Sequence, residues 1–346
     1  MLLTRTLISS LLCLGLARAG APSPLAAALP GTMQAIVMDH YGGIEVLSER
    51  TVPVPTLAPD EVLIAVHTAG VGPWDADVRA GVAPDTRTRF PLVLGTDGSG
   101  TVAAIGAAVR TLHVGQSVYS YSWANPKGGF YAQYVAVIAT RVAPIPGNLT
   151  LRQAGAIATT GLTAVQGIDD ALHIRKGQAL IIHGASGGVG TLALQLAKLR
   201  GARVLATASG ADGLALVRRL GADLALDSRV EDVAAAAKRF APQGADALLA
   251  LAAGPALDQL RASLRPGGLL AYPSGVTPVP KPDGRIKIIL YDAVPAPAEF
   301  ARLNQALESM ATEVPMDSEF ALADARAAHQ RLAAGHLLGK VILRVQ

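Results

Sequence analysis

Ala179-Leu-Ile-Ile-His-Gly-Ala-Ser-Gly-Gly-Val-Gly-Thr-Leu-Ala-Leu-Gln-Leu-Ala-Lys198 is the stretch whose reading decides the fold. The apolar run from Ala179 to Ile182 stops at a glycine cluster, and apolar residues then recur with helical spacing. Strand, tight turn and helix in immediate succession aim the helix N-terminus, with its free backbone N–H groups, at a point just above the strand. Gly187 lets the backbone approach a pyrophosphate, and Gly190 lets the helix pack closely on the strand. Ala185 stands where the usual G-x-G-x-x-G has its first glycine, and Gly184 precedes it. The expected contacts to a dinucleotide are therefore Ala185, Ser186, Gly187, Gly188, Val189 and Gly190.

The same residues admit a rival. Gly184-Ala185-Ser186-Gly187-Gly188 fits G-x-S-x-G, the nucleophile elbow of α/β-hydrolases, which is also a strand-turn-helix. Ser186 would then be the nucleophile of an exported serine hydrolase, with Asp292 and either His329 or His336 downstream as partners. No HGGG-type oxyanion segment is visible and the third glycine would have no task, so the dinucleotide reading is preferred.

Outward from this stretch the texture differs on the two sides. From Met33 to about Val142 short β-runs alternate with Gly and Pro: 34–38, 61–69, 100–105, 117–120 and 134–137, the spacing of an antiparallel, barrel-like domain. Residues 153–172 are alanine-rich and helical. Strands at 179–183, 203–208, 224–226, 247–251 and 268–272 then alternate with helical segments, which describes a parallel, doubly wound α/β sheet. From about Ala296 two helices and a closing strand, 341–345, are expected to return to the first domain. The resulting division is 1–32 leader, 33–150 first part of the substrate domain, 151–290 dinucleotide domain, and 291–346 return to the substrate domain.

At 346 residues, 51% apolar and 16% charged, the chain can bury a large core and is not a disordered polymer. Its net charge of +4 is small for that length, and no basic block interleaves with aromatics, so nucleic-acid binding has no support. The single cysteine, Cys13, excludes an internal disulfide and a cysteine-ligated zinc. Residues 1–32 read as a secretory leader: Arg5 at its start, an apolar run from Leu7 to Ala17, and Ala17-Arg18-Ala19 before Gly20. The apolar run is too short to span a bilayer, so no stable membrane anchor is expected. The leader predicts a periplasmic or secreted protein, and a start at Met33 would make it cytoplasmic instead.

Several further segments resemble the medium-chain dehydrogenases/reductases. Ala69-Gly-Val-Gly-Pro-Trp-Asp-Ala-Asp-Val-Arg-Ala-Gly81 is similar to their A-G-V-N-P-x-D-x-x-x-R-x-G, and Pro91-Leu-Val-Leu-Gly-Thr-Asp-Gly-Ser-Gly-Thr-Val102 to P-G-x-D-x-x-G-x-V. Val114–Val118, Gly129–Tyr134 and Gly335–Leu343 resemble other landmarks in the right order. The zinc-independent quinone oxidoreductase (zeta-crystallin-like) branch fits best. The resemblance implies a Rossmann domain joined to a GroES-like barrel, a small-molecule substrate and a homodimer. Zinc-bearing relatives place Cys where this chain has Gly72 and His-Glu where it has Thr96-Asp97. Without a metal Lewis acid, a conjugated acceptor is favoured, because hydride addition to a quinone or enone spreads the charge that hydrogen bonds must hold. The implied reaction is hydride transfer from a nicotinamide to such an acceptor. The other reading is a non-catalytic dinucleotide-binding relative, since the family's Asn is Gly72 here.

The coenzyme is decided at the end of the second strand, where an NAD enzyme needs an acid for the ribose 2′-OH. Arg203-Val-Leu-Ala-Thr-Ala-Ser-Gly210 carries Thr207 and Ser209 and no acid, which favours NADPH over NADH. Relatives often carry Lys where this chain has Gly213, and Arg218 or Arg219 could substitute from a helix face. Likeness places Thr160 and Thr163 near the nicotinamide, although their hydroxyls could equally back-bond within a helix. Asp75 is the candidate catalytic residue, or else a buried tie within its loop. Tyr41, Trp74, Tyr121 and Trp123 could line the acceptor cleft in a chain only 4% aromatic. Arg79 is expected to pair with a carboxylate, and Ala250 replaces a family Asp without consequence.

Overall fold

The structure, a computed structural model, describes residues 29–82 and 89–346. The leader expected at residues 1–32 lies almost wholly outside them, including Arg5, Cys13 and Arg18. Among the described residues no helix is long and apolar enough to cross a membrane. The first part of the chain consists of short strands and one helix: β1 (Thr32–Met38), β2 (Ser48–Pro53), β3 (Glu61–Val71), α1 (Pro73–Ala80), β4 (Leu92–Val93), β5 (Asp97–Ile105), β6 (Ser117–Tyr121), β7 (Tyr134–Ile138) and β8 (Val142–Pro144). β2, β1 and β4 make a small antiparallel sheet. β3 is the axis of a larger one, pairing antiparallel with β5 and β7, and β5 leads through β6 to β8. Central position explains why β3 is apolar and buried on both faces, where a one-sided strand would alternate.

After α2 (Leu151–Gly155) and α3 (Ala158–Gln166) comes the alternating half: β9 (Ala179–His183), α4 (Gly188–Leu199), β10 (Arg203–Ala208), α5 (Gly210–Arg219), β11 (Leu224–Asp227), α6 (Val233–Phe240), β12 (Ala245–Ala250), α7 (Pro255–Ala262), β13 (Leu264–Pro273) and β14 (Lys287–Tyr291). The six strands lie in the order β11-β10-β9-β12-β13-β14, and every pairing is parallel. This is the doubly wound order, with its reversal between β9 and β12, and ligands of such sheets bind outside the carboxyl ends at that reversal. All five residues of β9 are buried, as a strand covered by helices on both faces requires.

The tail adds α8 (Pro297–Glu308), β15 (Met316–Ala321), α9 (Ala325–Ala333) and β16 (Lys340–Arg344). β16 pairs antiparallel with β3 and parallel with β15, so the chain ends inside the larger sheet built on β3. Three features differ from the sequence reading. Residues 153–172 are not one helix: Ala156 and Ile157 donate three residues back, to Gln153 and Ala154, and this tight turn separates α2 from α3. β14 and β15 were not anticipated. Both are half-exposed edge strands with no clean alternation, and only their partners hold them extended.

Gly190 sits one turn into α4 against the Gly184–Ala185 backbone. A Cβ added there would lie 2.5 Å from the Gly184 carbonyl oxygen and 2.6 Å from the Ala185 Cα. Gly190→Ala should therefore destabilise the protein by about 1–3 kcal/mol, despite alanine's better helix propensity. Differential scanning calorimetry tests this, and a melting temperature equal to or above wild type would contradict the packing role.

Candidate functional site

The turn after β9 is built by backbone geometry. Gly184 is left-handed (φ 86°), which costs a residue with a Cβ about 1–2 kcal/mol. Its N–H donates to Thr207 Oγ1 at 3.1 Å, and the Ala185 N–H donates to the Thr207 carbonyl at 2.8 Å. Gly187 is the N-cap of α4 and offers no side chain to the first-turn amides. A Cβ built on Gly187 would meet only the Gly184 carbonyl, at 3.8 Å. The backbone is thus open to close approach by a ligand from that side, with the amides of Gly188, Val189 and Gly190 in the first helical turn. A diphosphate fits this cradle.

The loop between α9 and β16 lies across the turn. Gly339 N donates to the Ser186 carbonyl at 2.8 Å, and Gly339 bridges to Gly187 in parallel register. Arg331 fixes the loop from behind, donating to the Gly335 and His336 carbonyls and pairing with Asp317 at 2.6 Å. At one end of this loop His336 reaches the carboxyl end of β10. Its Nδ1 lies 2.7 Å from Ser209 Oγ, and its Nε2 lies 3.1 Å from Asp212 Oδ2. At the other end the Lys340 side chain passes Gly188 and enters the first sheet. Its buried ammonium lies 3.8 Å from Asp97 Oδ1 and 4.3 Å from the centre of the Trp74 ring.

That ammonium is in an unusual setting. Lys340 Nζ, Asp97 Oδ1 and Trp74 Nε1 are all buried without a hydrogen-bond partner, whereas Asp97 Oδ2 accepts from Thr159 N at 3.0 Å. Buried polar groups are nearly always paired, so three unpaired ones at a single place mark a site. Next to them Asp75 accepts from Gly72 N (2.8 Å), Thr96 N (3.0 Å) and Thr96 Oγ1 (2.8 Å). Burial, and then the neighbouring Asp97 charge, push the Asp75 carboxyl up to about 7, against the pull of Lys340 and the hydrogen bonds. Asp75 and Thr96 form the inner wall of a pocket of about 620 Å³, open mouth included, whose other walls include Val78, Leu94 and Trp123. Among the described residues no cluster of three His, Cys, Asp or Glu could hold a metal. The residues at the zinc-ligand positions do not fit zinc either. Gly72 has no donor, Thr96 donates its hydroxyl to Asp75, and Asp97 faces an ammonium.

The other expected residues divide. Trp123 lines the pocket, but Trp74 lies against the lysine, and Tyr121 and Tyr41 are not among the lining residues. Tyr41 packs edge-on against Phe90 (5.0 Å, 78°). Thr207 is buried with its hydroxyl between His183 Nδ1 and Gly184 N, so it braces the turn from below and does not face a ribose. Thr160 and Thr163 back-bond to the carbonyls four residues earlier, which leaves only the Thr160 methyl toward Gly188. The hydrolase partners are engaged elsewhere: Asp292 with Ser274, His329 with Arg79 and Tyr131, and His336 with Ser209 and Asp212. Arg79 binds a histidine and the Gly42 carbonyl where a carboxylate was expected. Burial, and then Arg79, lower the His329 pKa to about 4, so it accepts that bond as neutral imidazole. Arg219 pairs with Glu313, away from the turn. The sequence reading missed the Lys340–Asp97 pair and the His336–Asp212 contact. A lysine opening the buried strand Lys340-Val-Ile-Leu343 was the one available signal.

Residues 58–147 match the model of the alcohol dehydrogenase GroES-like domain, and residues 188–289 that of the zinc-binding dehydrogenase. An NADPH-dependent alkenal/one oxidoreductase of Arabidopsis thaliana is 36% identical over 214 residues, 60% of this chain and 55% of the relative. A quinone oxidoreductase of Pongo abelii is 30% identical over 240 residues, 68% and 71% of the two chains. A mycobacterial protein solved in complex with NADPH superposes with a TM-score of 0.80 at 30% identity, over 90% of this chain and all of the other. The chain belongs to the medium-chain dehydrogenase/reductase superfamily, in its quinone oxidoreductase branch. It spans little more than half the length of the first curated relatives it matches.

Asp75 gives the site a pH signature. Its folded pKa of about 7 lies above the unfolded value of 3.8. The stability tied to the protonated carboxyl is therefore whole below pH 4 and is lost as the pH rises toward 7. Asp75→Asn cannot ionise, so between about pH 4 and pH 8 urea titrations should shift in the variant's favour, relative to wild type, by on the order of 4 kcal/mol. A gap that does not change with pH would refute the assignment.

Proposed function

We propose that the chain is a zinc-free oxidoreductase that transfers hydride from NADPH to a quinone or an α,β-unsaturated carbonyl compound. One observation carries the reading: the Lys340 side chain runs from the open backbone cradle at Gly187–Gly188 to Asp97, beside a pocket walled by Asp75 and Thr96. Lys340 thus links the coenzyme cradle to the buried carboxylates Asp97 and Asp75, the second of which lines the pocket. The names of the relatives support the same reaction class, and NADPH in a related structure supports the coenzyme.

When bound, the nicotinamide supplies the hydride. The rest falls to the chain's own residues. Amides at 186–190 hold the diphosphate, while that of Ala185 is spent on the Thr207 carbonyl, and the Thr160 methyl contributes to the floor beside Gly188. Asp75 holds Thr96 and the Gly72 loop in position through three hydrogen bonds, a positioning role. The acceptor lies in the Asp75–Trp123 pocket, with the Lys340 ammonium as the nearby buried cation. A conjugated acceptor suits this arrangement, because its charge is delocalised on reduction and a hydrogen-bonding wall can hold it without a Lewis acid. The donor set at Gly72, Thr96 and Asp97 supports a metal-free reaction. Residues 1–32 are proposed as an export leader, with Met33 as the alternative start, and N-terminal sequencing of the native protein distinguishes these. A homodimer is proposed from family likeness.

Purified protein should oxidise NADPH only when a quinone or enone is added, at a rate unchanged by a metal chelator. Gly187→Val has room in the fold but intrudes on the cradle. It should raise the NADPH dissociation constant roughly tenfold or more, the loss of about one charge-assisted hydrogen bond. Loss of turnover to a chelator would overturn the zinc-free reading. Saturable NADPH binding without turnover of any such acceptor would make the chain a non-catalytic relative.

A further inference from the structure

The Ser209–His336–Asp212 chain stands at the carboxyl end of β10, where a doubly wound sheet meets the ribose that distinguishes NADPH from NADH. Apart from Asp212 Oδ1, which accepts from the neighbouring Gly213 N–H, its members make few local bonds that build the fold. Ser209 is the N-cap of α5 but makes no capping hydrogen bond, and Asp212 and His336 have side chains 56% and 38% exposed. His336 is nevertheless held in a left-handed conformation (φ 47°), with its carbonyl fixed by Arg331. Such strain in a non-glycine residue at a ligand cleft is characteristic of functional positions.

Hydrogen-bond bookkeeping within the chain gives it two states. Asp212 is held below the usual carboxylate range, first by its hydrogen bond to His336, so it stays an acceptor throughout the range in which imidazole titrates. The His336 Nε2 facing it therefore carries a hydrogen, because a lone pair there would oppose the carboxylate. With neutral imidazole, Nδ1 is an acceptor. The Ser209 hydroxyl then spends its hydrogen on Nδ1, and only oxygen lone pairs face the cleft. With imidazolium, Nδ1–H donates to Ser209 Oγ, and the serine hydrogen is released toward the cleft. The first state suits a ribose 2′-OH, which can donate. The second suits a 2′-phosphate, which can only accept when ionised.

We propose that His336 is a protonation-controlled selector of the coenzyme, favouring NADPH when charged and relaxing toward NADH when neutral. This rests on the reading of the cleft as a nicotinamide-coenzyme site. The other groups around His336 do not mask its charge change. Arg331 is paired with Asp317 behind the loop, and Arg229, near enough to feel Asp212, is paired with Asp227 at the end of β11. These ions keep constant charge while the imidazole gains or loses its proton.

The test is the ratio of NADH to NADPH dissociation constants for the full chain, measured by fluorescence titration at about pH 5.5 and about pH 8, on either side of the usual histidine pKa of about 6.5. The ratio should fall roughly tenfold from acid to alkali, the worth of turning one hydrogen bond to a charged group from donor to acceptor. The ligand's own ionisation acts in the opposite sense, since a phosphate gains charge as the pH rises through about 6. In His336→Asn the fall should vanish, and asparagine tolerates the left-handed backbone at that position. In Asp212→Asn the fall should shrink, because the neutral ring can then carry its hydrogen on Nδ1 and leave the serine hydrogen free. An unchanged fall in His336→Asn, or a wild-type ratio that moves with pH no differently from the variant's with both coenzymes bound, overturns the selector and leaves the coenzyme site standing. Failure of both coenzymes to bind at either pH overturns the site and the selector together.

Discussion

The backbone hydrogen bond from Gly339 N to the Ser186 carbonyl pins the last loop of the chain against the nucleotide turn. The nucleotide turn belongs to the parallel sheet, while β16 belongs to the mixed seven-stranded one, and this contact helps hold one against the other. It demands glycine on the loop side. Gly339 is left-handed (φ 106°), and a Cβ there would run into the Pro315 carbonyl. Because the loop is pinned beside the turn, residues on either side of the pin reach opposite ends of the site. His336 is delivered to the end of β10, and Lys340 to Asp97. One short loop thus connects what would otherwise be separate sites.

The Lys340–Asp97 pair carries an electrostatic burden. Two buried charges lose hydration, and their mutual attraction repays it only if the remaining donors and acceptors are satisfied. Here they are not: Nζ and Oδ1 are both without hydrogen bonds, and the Trp74 ring covers the ammonium as a cation–π partner. A second carboxylate, Asp75, lies close enough for Asp97 to raise its pKa. Such a cluster is costly as pure scaffold, since low local dielectric raises the cost of every polar group left unpaired. Gly70 permits it, since a Cβ there would collide with Asp97 Oδ1 and the Lys340 stem.

The nicotinamide family shares one fold between chemistries with and without metal, and the difference here lies in a few side chains around that cluster. At the positions that hold zinc in the metal-bearing relatives, this chain has an Asp97 that faces the Lys340 ammonium and a Thr96 whose hydroxyl donates to Asp75. Those groups polarise weakly compared with a divalent cation, which is why the proposed acceptor is one whose own conjugation disperses charge.

The sequence by itself determined the glycine turn, the alternation of strands and helices on one side of it, and the β-rich texture on the other, because each is a local property of spacing and backbone freedom. Gly187 and Gly190 were legible for that reason, and so was the absence of zinc-type ligands at Gly72 and Thr96. The edge strands β14 and β15 were not legible, since their extended form depends on partners. Nor were the roles of single hydroxyls: Thr207, Thr160 and Thr163 look alike on paper, and only their neighbours consume their hydrogen bonds. The tertiary structure alone decided that Lys340 meets Asp97 and that His336 meets Asp212, the latter across 124 positions of chain. Such contacts follow from how β16 docks beside β3, a long-range pairing that no local pattern encodes.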